Sequence, residues 1–148
     1  MSNTIATSLY NQNTFYDAFL RDARRAYKRL IIESPFITER RMIILLPVLQ
    51  GLRRKGVEIT INTKPFEEHE PAYRDQAVWA VGAMQDLGIE VLMTAGHHRK
   101  LAIIDDNILY EGSLNILSQN DSCEVMRRIK DKETVNEMLA FTGLKKWL

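Results

Sequence analysis

Short apolar runs with strand character alternate along this chain with segments of helical periodicity, and that order most constrains the fold. Leu30–Glu33, Val57–Ile61 and Ile89–Met93 are rich in Ile, Val or Leu and read as strands. Ahead of the first, Thr14 and Asp17 mark a helix start, and Phe15, Phe19, Ala23, Ala26 and Leu30 recur at helical spacing as a buried stripe. Thr38 is placed to cap a second helix that runs to Lys55, with Gly56 as its stop. Pro47 lies inside that segment and predicts a kink or a late start. Pro71 suits the first turn of a third helix, which Gly88 ends. Leu101–Ile104 and Ile108–Tyr110 flank the turn residues Asp105, Asp106 and Asn107 as a hairpin. Glu124–Ile129 is a further strand, and a last helix starts near Lys132. This pattern predicts one α/β domain over residues 1–148, a mixed, largely parallel β-sheet flanked by helices on both faces. Residues 1–12 are polar and mixed, and a loosely ordered N-terminal segment is expected there.

Composition narrows the setting. The chain has 148 residues, enough to bury a core of its own. The formal charge is only +1, so bulk charge does not announce a nucleic-acid partner. The charges are uneven, however. Arg21, Arg24, Arg25, Lys28, Arg29, Arg40, Arg41, Arg53, Arg54 and Lys55 crowd the first third, either as a track for a phosphate backbone or as the wet faces of helices. A single cysteine, Cys123, excludes an intrachain disulfide and fits a reducing compartment. With no long apolar segment and no apolar leader, a cytoplasmic location without stable membrane association is expected.

The chemistry concentrates between His98 and Asn115, in the pattern His-x-Lys-x4-Asp-x6-Gly-Ser-x-Asn. His98 is a nucleophile or proton carrier at neutral pH, and Lys100 is a cation. Ser113 and Asn115 are neutral hydrogen-bond donors, and Gly112 lets the backbone bend or come close to a ligand. Such parts suit chemistry on a phosphodiester. Side chains alternate across a strand, so His98 and Lys100 are expected on one face and His97 and Arg99 on the other. The histidines and aspartates there are metal-ligand types, but adjacent histidines on a strand chelate poorly and no His-Glu-x-x-His or Cys-pair spacing occurs.

The run resembles the signature of the phospholipase D superfamily, the HKD motif, at every defined position. Asn120–Glu124 is similar to the stretch where that family places a glutamate near the catalytic histidine. The resemblance implies a phosphodiesterase in which His98 attacks phosphorus and forms a phosphohistidine. Lys100, Ser113 and Asn115 would bind the phosphate oxygens, where charge gathers in the transition state. Glu124 would orient His98 by accepting its second ring N–H. Asp105 belongs to the pattern, yet a carboxylate would repel phosphate, so a structural role is expected, pairing with a cation or closing the turn with Asp106. No metal and no cofactor are expected, since Lys100 supplies the cation.

The implied mechanism needs two histidines, one to attack and one to protonate the leaving oxygen. The motif occurs once; His97 points away, and His69 lies in an acidic loop without a matching context. The simplest arrangement is a C2 homodimer with both motifs meeting at the axis, as in the family's single-motif members. The small, single-motif form looks most like the bacterial endonuclease branch, which implies DNA or RNA as substrate. The alternatives are a lipid phosphodiesterase on the same chemistry, or a non-catalytic nucleic-acid-binding subunit of a larger system. Members of the family are often joined to helicases or recognition modules, so a partner of that kind is a further expectation.

Overall fold

In a computed structural model, which describes residues 5–119 and 122–148, seven strands and four α-helices follow one another along the chain. They are β1 (Ala6–Asn11), α1 (Phe15–Arg24), β2 (Arg29–Glu33), α2 (Glu39–Arg54), β3 (Glu58–Thr63), α3 (Pro71–Asp86), β4 (Glu90–Met93), β5 (Leu101–Ile104), β6 (Ile108–Gly112), β7 (Val125–Lys130) and α4 (Lys132–Thr142). All the strands join one sheet in the order β1-β7-β6-β5-β2-β3-β4.

The sheet is mixed, as the alternation predicts, but its balance differs from the expectation. Only β2–β3 and β3–β4 pair in parallel, across the crossovers made by α2 and α3. The other four pairings are antiparallel. Part of that excess is β1, which the sequence does not disclose. Its residues are almost all exposed, so it carries no apolar alternation. It is a strand because its backbone pairs with β7, from Ala6 opposite Lys130 to Asn11 opposite Val125.

Helices cover both faces, unequally. Phe15 and Phe19 of α1, Leu45 and Leu49 of α2 and Val81 and Met84 of α3 pack on one face, against Leu30, Ile32, Ile61 and Tyr110. On the other face Val135 and Leu139 of α4, with Leu144 just beyond it, pack against Ile31, Leu101, Ile103 and Leu109. Thr38 caps α2 by accepting the Arg41 N–H. α2 runs through Pro47 without a late start; the carbonyl that Pro47 leaves unpaired belongs to Ile43, which is exposed to water.

The β5–β6 turn shows why Asp105 belongs to the pattern. Asp105 is buried and adopts φ 56°, a left-handed conformation that aspartate tolerates better than most residues. Its Oδ1 accepts the N–H groups of Tyr27, Lys28 and Arg29 at 3.1, 2.8 and 3.2 Å, which fixes the entry into β2. Asp105 therefore pairs with backbone rather than with a cation. The neighbouring Asp106 takes the cations, Lys28 at 2.6 Å and Arg29 at 3.5 Å.

Candidate active site

The hairpin places the reactive residues at the end of the sheet opposite Asp105. Residues 97–100 precede β5 rather than belonging to it, although the Gly112 N–H still donates to the Lys100 carbonyl at 3.3 Å. Gly112 faces Met126 across the β6–β7 pair. A Cβ on Gly112 would lie 2.1 Å from the Val125 carbonyl oxygen, so the glycine is required by the neighbouring strand. That close approach brings Ser113 to the start of β7. The Ser113 hydroxyl accepts the Val125 N–H at 3.0 Å, and the Ser113 N–H donates to the Val125 carbonyl at 2.9 Å. Glu124 precedes β7, and its N–H donates to Gln12 at 2.9 Å.

The segment that carries Asn115 is tied to the loop after β2. Thr38 N–H donates to the Leu117 carbonyl at 3.0 Å, and Leu117 N–H to the Ser34 hydroxyl at 3.2 Å. The Tyr16 hydroxyl donates to the Ile116 carbonyl. Burial raises the Tyr16 phenol above its ordinary pKa, so it stays a neutral donor. Asn115 is left with its side-chain oxygen buried and without a hydrogen-bond partner.

His98, Lys100, Gly112, Ser113, Asn115 and Glu124 thereby line one cavity of about 490 Å³, together with Phe36, Arg99 and Ser122. His98 is exposed, and its ring makes no hydrogen bond to a described residue, Glu124 included. The Lys100 ammonium donates to the His98 carbonyl at 2.7 Å. Burial pushes its pKa below that of an ordinary lysine, and the Glu124 carboxylate opposes the shift. The cavity thus offers an unencumbered imidazole, a cation, an amide and a carboxylate.

Beneath it lies a buried polar network that the sequence does not announce. Glu33, fully buried at the end of β2, receives both arms of the Arg99 guanidinium at 2.8 Å each. The Asn62 amide donates to Glu33 at 2.8 Å, and the Thr94 hydroxyl to Asn62 at 2.8 Å. A charge ending the apolar run Leu30–Ile32 was the available signal, because a buried carboxylate demands partners. His97 is buried near this network, held below its ordinary pKa first by desolvation, and it does not line the cavity. His69 is also buried and lies outside the cavity.

The basic residues of the first third do not gather at the site. Lys28 and Arg29 bind Asp106 at the far end of β5. Arg53 donates to the Leu87 and Val57 carbonyls, and Lys55 to the Arg24 carbonyl, all at helix ends away from the hairpin's open end. Arg41 is the exception. Its guanidinium lies 3.2 Å over the Tyr16 ring, in a small recess shared with Asn115. Asn120 and Asp121, which open the stretch that leads to Glu124, lie outside the described residues.

A mixed sheet that gathers one histidine, one lysine and an unpaired asparagine at the end of a hairpin matches a known family. The chain belongs to the phospholipase D-like domain family, whose model, described as "Cardiolipin synthase, PLD-like domain", matches residues 19–143. No curated protein sequence matches it. Among solved structures, the fold is similar to that of NucT from Helicobacter pylori, with TM-score 0.76 at 19% identity over 93% of each chain. It is also similar to Nuc, a phospholipase D family member from Salmonella typhimurium, with TM-score 0.76 at 14% identity over 93% of this chain and 91% of that one. Phosphatidylserine synthase from Haemophilus influenzae gives TM-score 0.68 at 16% identity, over 99% of this chain but 39% of the other.

Proposed function

We propose that this protein is a metal-independent phosphodiesterase, a nuclease cleaving DNA or RNA, with His98 as nucleophile and an active site shared by two copies of the chain. The observation that carries the reading is the cavity itself, where His98, Lys100, Ser113, Asn115 and Glu124 converge and, among the described residues, His98 is the one histidine. A nuclease is favoured over a lipid enzyme because the chain matches NucT and Nuc over nine-tenths of their length, whereas it spans a minor part of the synthase.

In the first step a ring nitrogen of His98 attacks phosphorus, and the bond to the leaving oxygen breaks. That oxygen takes a proton from the imidazolium of the partner subunit's His98. In the second step the partner subunit's His98, now neutral, removes a proton from water. The water oxygen attacks phosphorus, and the P–N bond breaks to return free His98 and a phosphomonoester. Lys100 and the Asn115 amide hold the non-bridging oxygens, and the charge that grows there makes fixed donors most effective in the transition state. The Ser113 hydroxyl, already engaged with Val125, contributes less freedom than Asn115. The Glu124 carboxylate favours the ammonium form of Lys100, and on this reading it orients His98 by accepting its second ring N–H.

The sharing of the site has a candidate surface. An apolar groove of about 550 Å³ opens beside Arg99, Lys100 and Gly112 and is walled by Leu9, Val125, Met138 and Phe141. A second copy seated there would bring the two motifs together at a two-fold axis. The test is hydrolysis of plasmid, single-stranded DNA, RNA and phospholipid in EDTA, with trapping of the protein–phosphate adduct. Cleavage of a nucleic acid, with an acid-labile phosphate on His98 that vanishes in His98→Ala, is expected. Activity lost in EDTA and restored by a metal, or nucleic-acid binding that never yields an adduct, would refute the reading.

A further inference from the structure

We infer that Phe36 and Lys64 form a stacking subsite for an unpaired nucleobase on the rim of the active-site cavity. The inference rests on the nuclease reading and specifies its substrate as single-stranded nucleic acid.

Phe36 sits in the loop between β2 and α2 and is 39% exposed, although its neighbours Pro35 and Ile37 are buried. The loop has little freedom to hide it. The Pro35 carbonyl accepts the Thr63 hydroxyl at 3.2 Å, and the Phe36 carbonyl accepts the Ser34 hydroxyl at 3.0 Å. Two residues on, Thr38 N–H is held by Leu117. The backbone is thus pinned on both sides of an aromatic ring that borders the same cavity as His98, Lys100 and Asn115. The Lys64 ammonium lies over one face of that ring, 3.8 Å from its centroid, so a base stacking on that face displaces the ammonium toward the phosphate that it then meets. The buried His69 ring meets it edge-on, with centroids 6.3 Å apart. An exposed aromatic braced on one side and flanked by a cation is the arrangement by which proteins hold single strands: bases stack on the ring, and the cation meets a phosphate. A base in a duplex has both faces covered, so such a site selects for unpaired strands. Lys28, Arg29 and Lys55 are engaged elsewhere, and Lys64 is the cation held against this ring.

The experiment compares the wild-type chain with Phe36→Ala, Phe36→Leu and Phe36→Trp. The substrates are a short oligothymidylate, the same oligomer without bases, and a duplex of matched length. Stacking of one base predicts that Phe36→Ala raises KM for the oligothymidylate about 5- to 150-fold, with kcat little changed. Phe36→Leu should behave like Phe36→Ala, and Phe36→Trp should restore binding. The abasic oligomer should be indifferent to all three. Equal kinetics for wild type and Phe36→Ala, or equal losses on basic and abasic oligomers, would overturn the subsite. Fluorescence anisotropy in a His98→Ala background separates the two readings. Binding that depends on Phe36 without any turnover by the wild-type chain would sink the nuclease reading and keep the subsite. Phe36-dependent binding to phosphatidylglycerol vesicles, with none to oligonucleotide, would overturn the subsite in favour of a lipid contact.

Discussion

Lys100 is the side chain whose chemistry depends most on its surroundings. It holds phosphate only as an ammonium, and burial penalises that form, so its proton leaves at a lower pH than in water. Substrate binding by a His98→Ala chain should therefore fall on the alkaline side of its pH profile below the ordinary lysine value of 10.5. Glu124 opposes the shift, so Glu124→Gln should move that limb to lower pH, and Lys100→Arg should abolish it. A limb unmoved by either substitution would assign it to another group. Asp105 is the contrasting case. Asp105→Ala removes the acceptor of three backbone N–H groups and places alanine at φ 56°. A loss of about 3 kcal/mol in unfolding free energy is expected, with activity per folded molecule unchanged, as checked by denaturant titration and kinetics. Charge already separates the two in sequence, since a carboxylate repels phosphate, but only the structure shows that Asp105 holds three backbone N–H groups rather than a cation.

At the scale of elements, much of the fold was readable because its signals are local. The Thr38 cap, Pro71 at the start of α3 and the positive φ of Gly56 and Gly88 each act within a turn of the chain. β1 was not readable, since its reason for being a strand is β7, more than a hundred residues away. Gly112's role was hidden too, because it depends on a strand 13 residues further along. The sequence offers a glycine beside a reactive serine, which suggests approach to a ligand, whereas the close neighbour is the Val125 carbonyl. Phe36 was equally opaque: an isolated aromatic in a loop reads as a turn or core contact until the cavity is seen to border it. The polar partners of Glu33 are likewise gathered from two separate segments, at Asn62 and Arg99.

For the whole molecule, the unequal covering of the sheet matters most. Three helices pack on one face, but the other is covered only by α4 and the short segment after it, and a groove opens there beside Arg99, Lys100 and Gly112. There Leu9, Val125 and Phe141 are 61%, 52% and 85% exposed, a clustering that marks an interaction surface. If a second copy seats there, Phe141→Asp should give monomers by analytical ultracentrifugation and lose most activity, although Phe141 touches no reacting atom. A dimer that persists in Phe141→Asp would place the pairing surface elsewhere.

In the proposed shared site each chain carries half of the chemistry, so heterodimers of wild-type and His98→Ala chains, isolated with a different tag on each, should reveal it in their hydrolysis rate. The single site at the axis of such a dimer keeps one His98 and so lacks either its nucleophile or its acid, and almost no activity is predicted. Heterodimers that retain half the wild-type rate would mean that each chain works alone, and the shared site would be wrong.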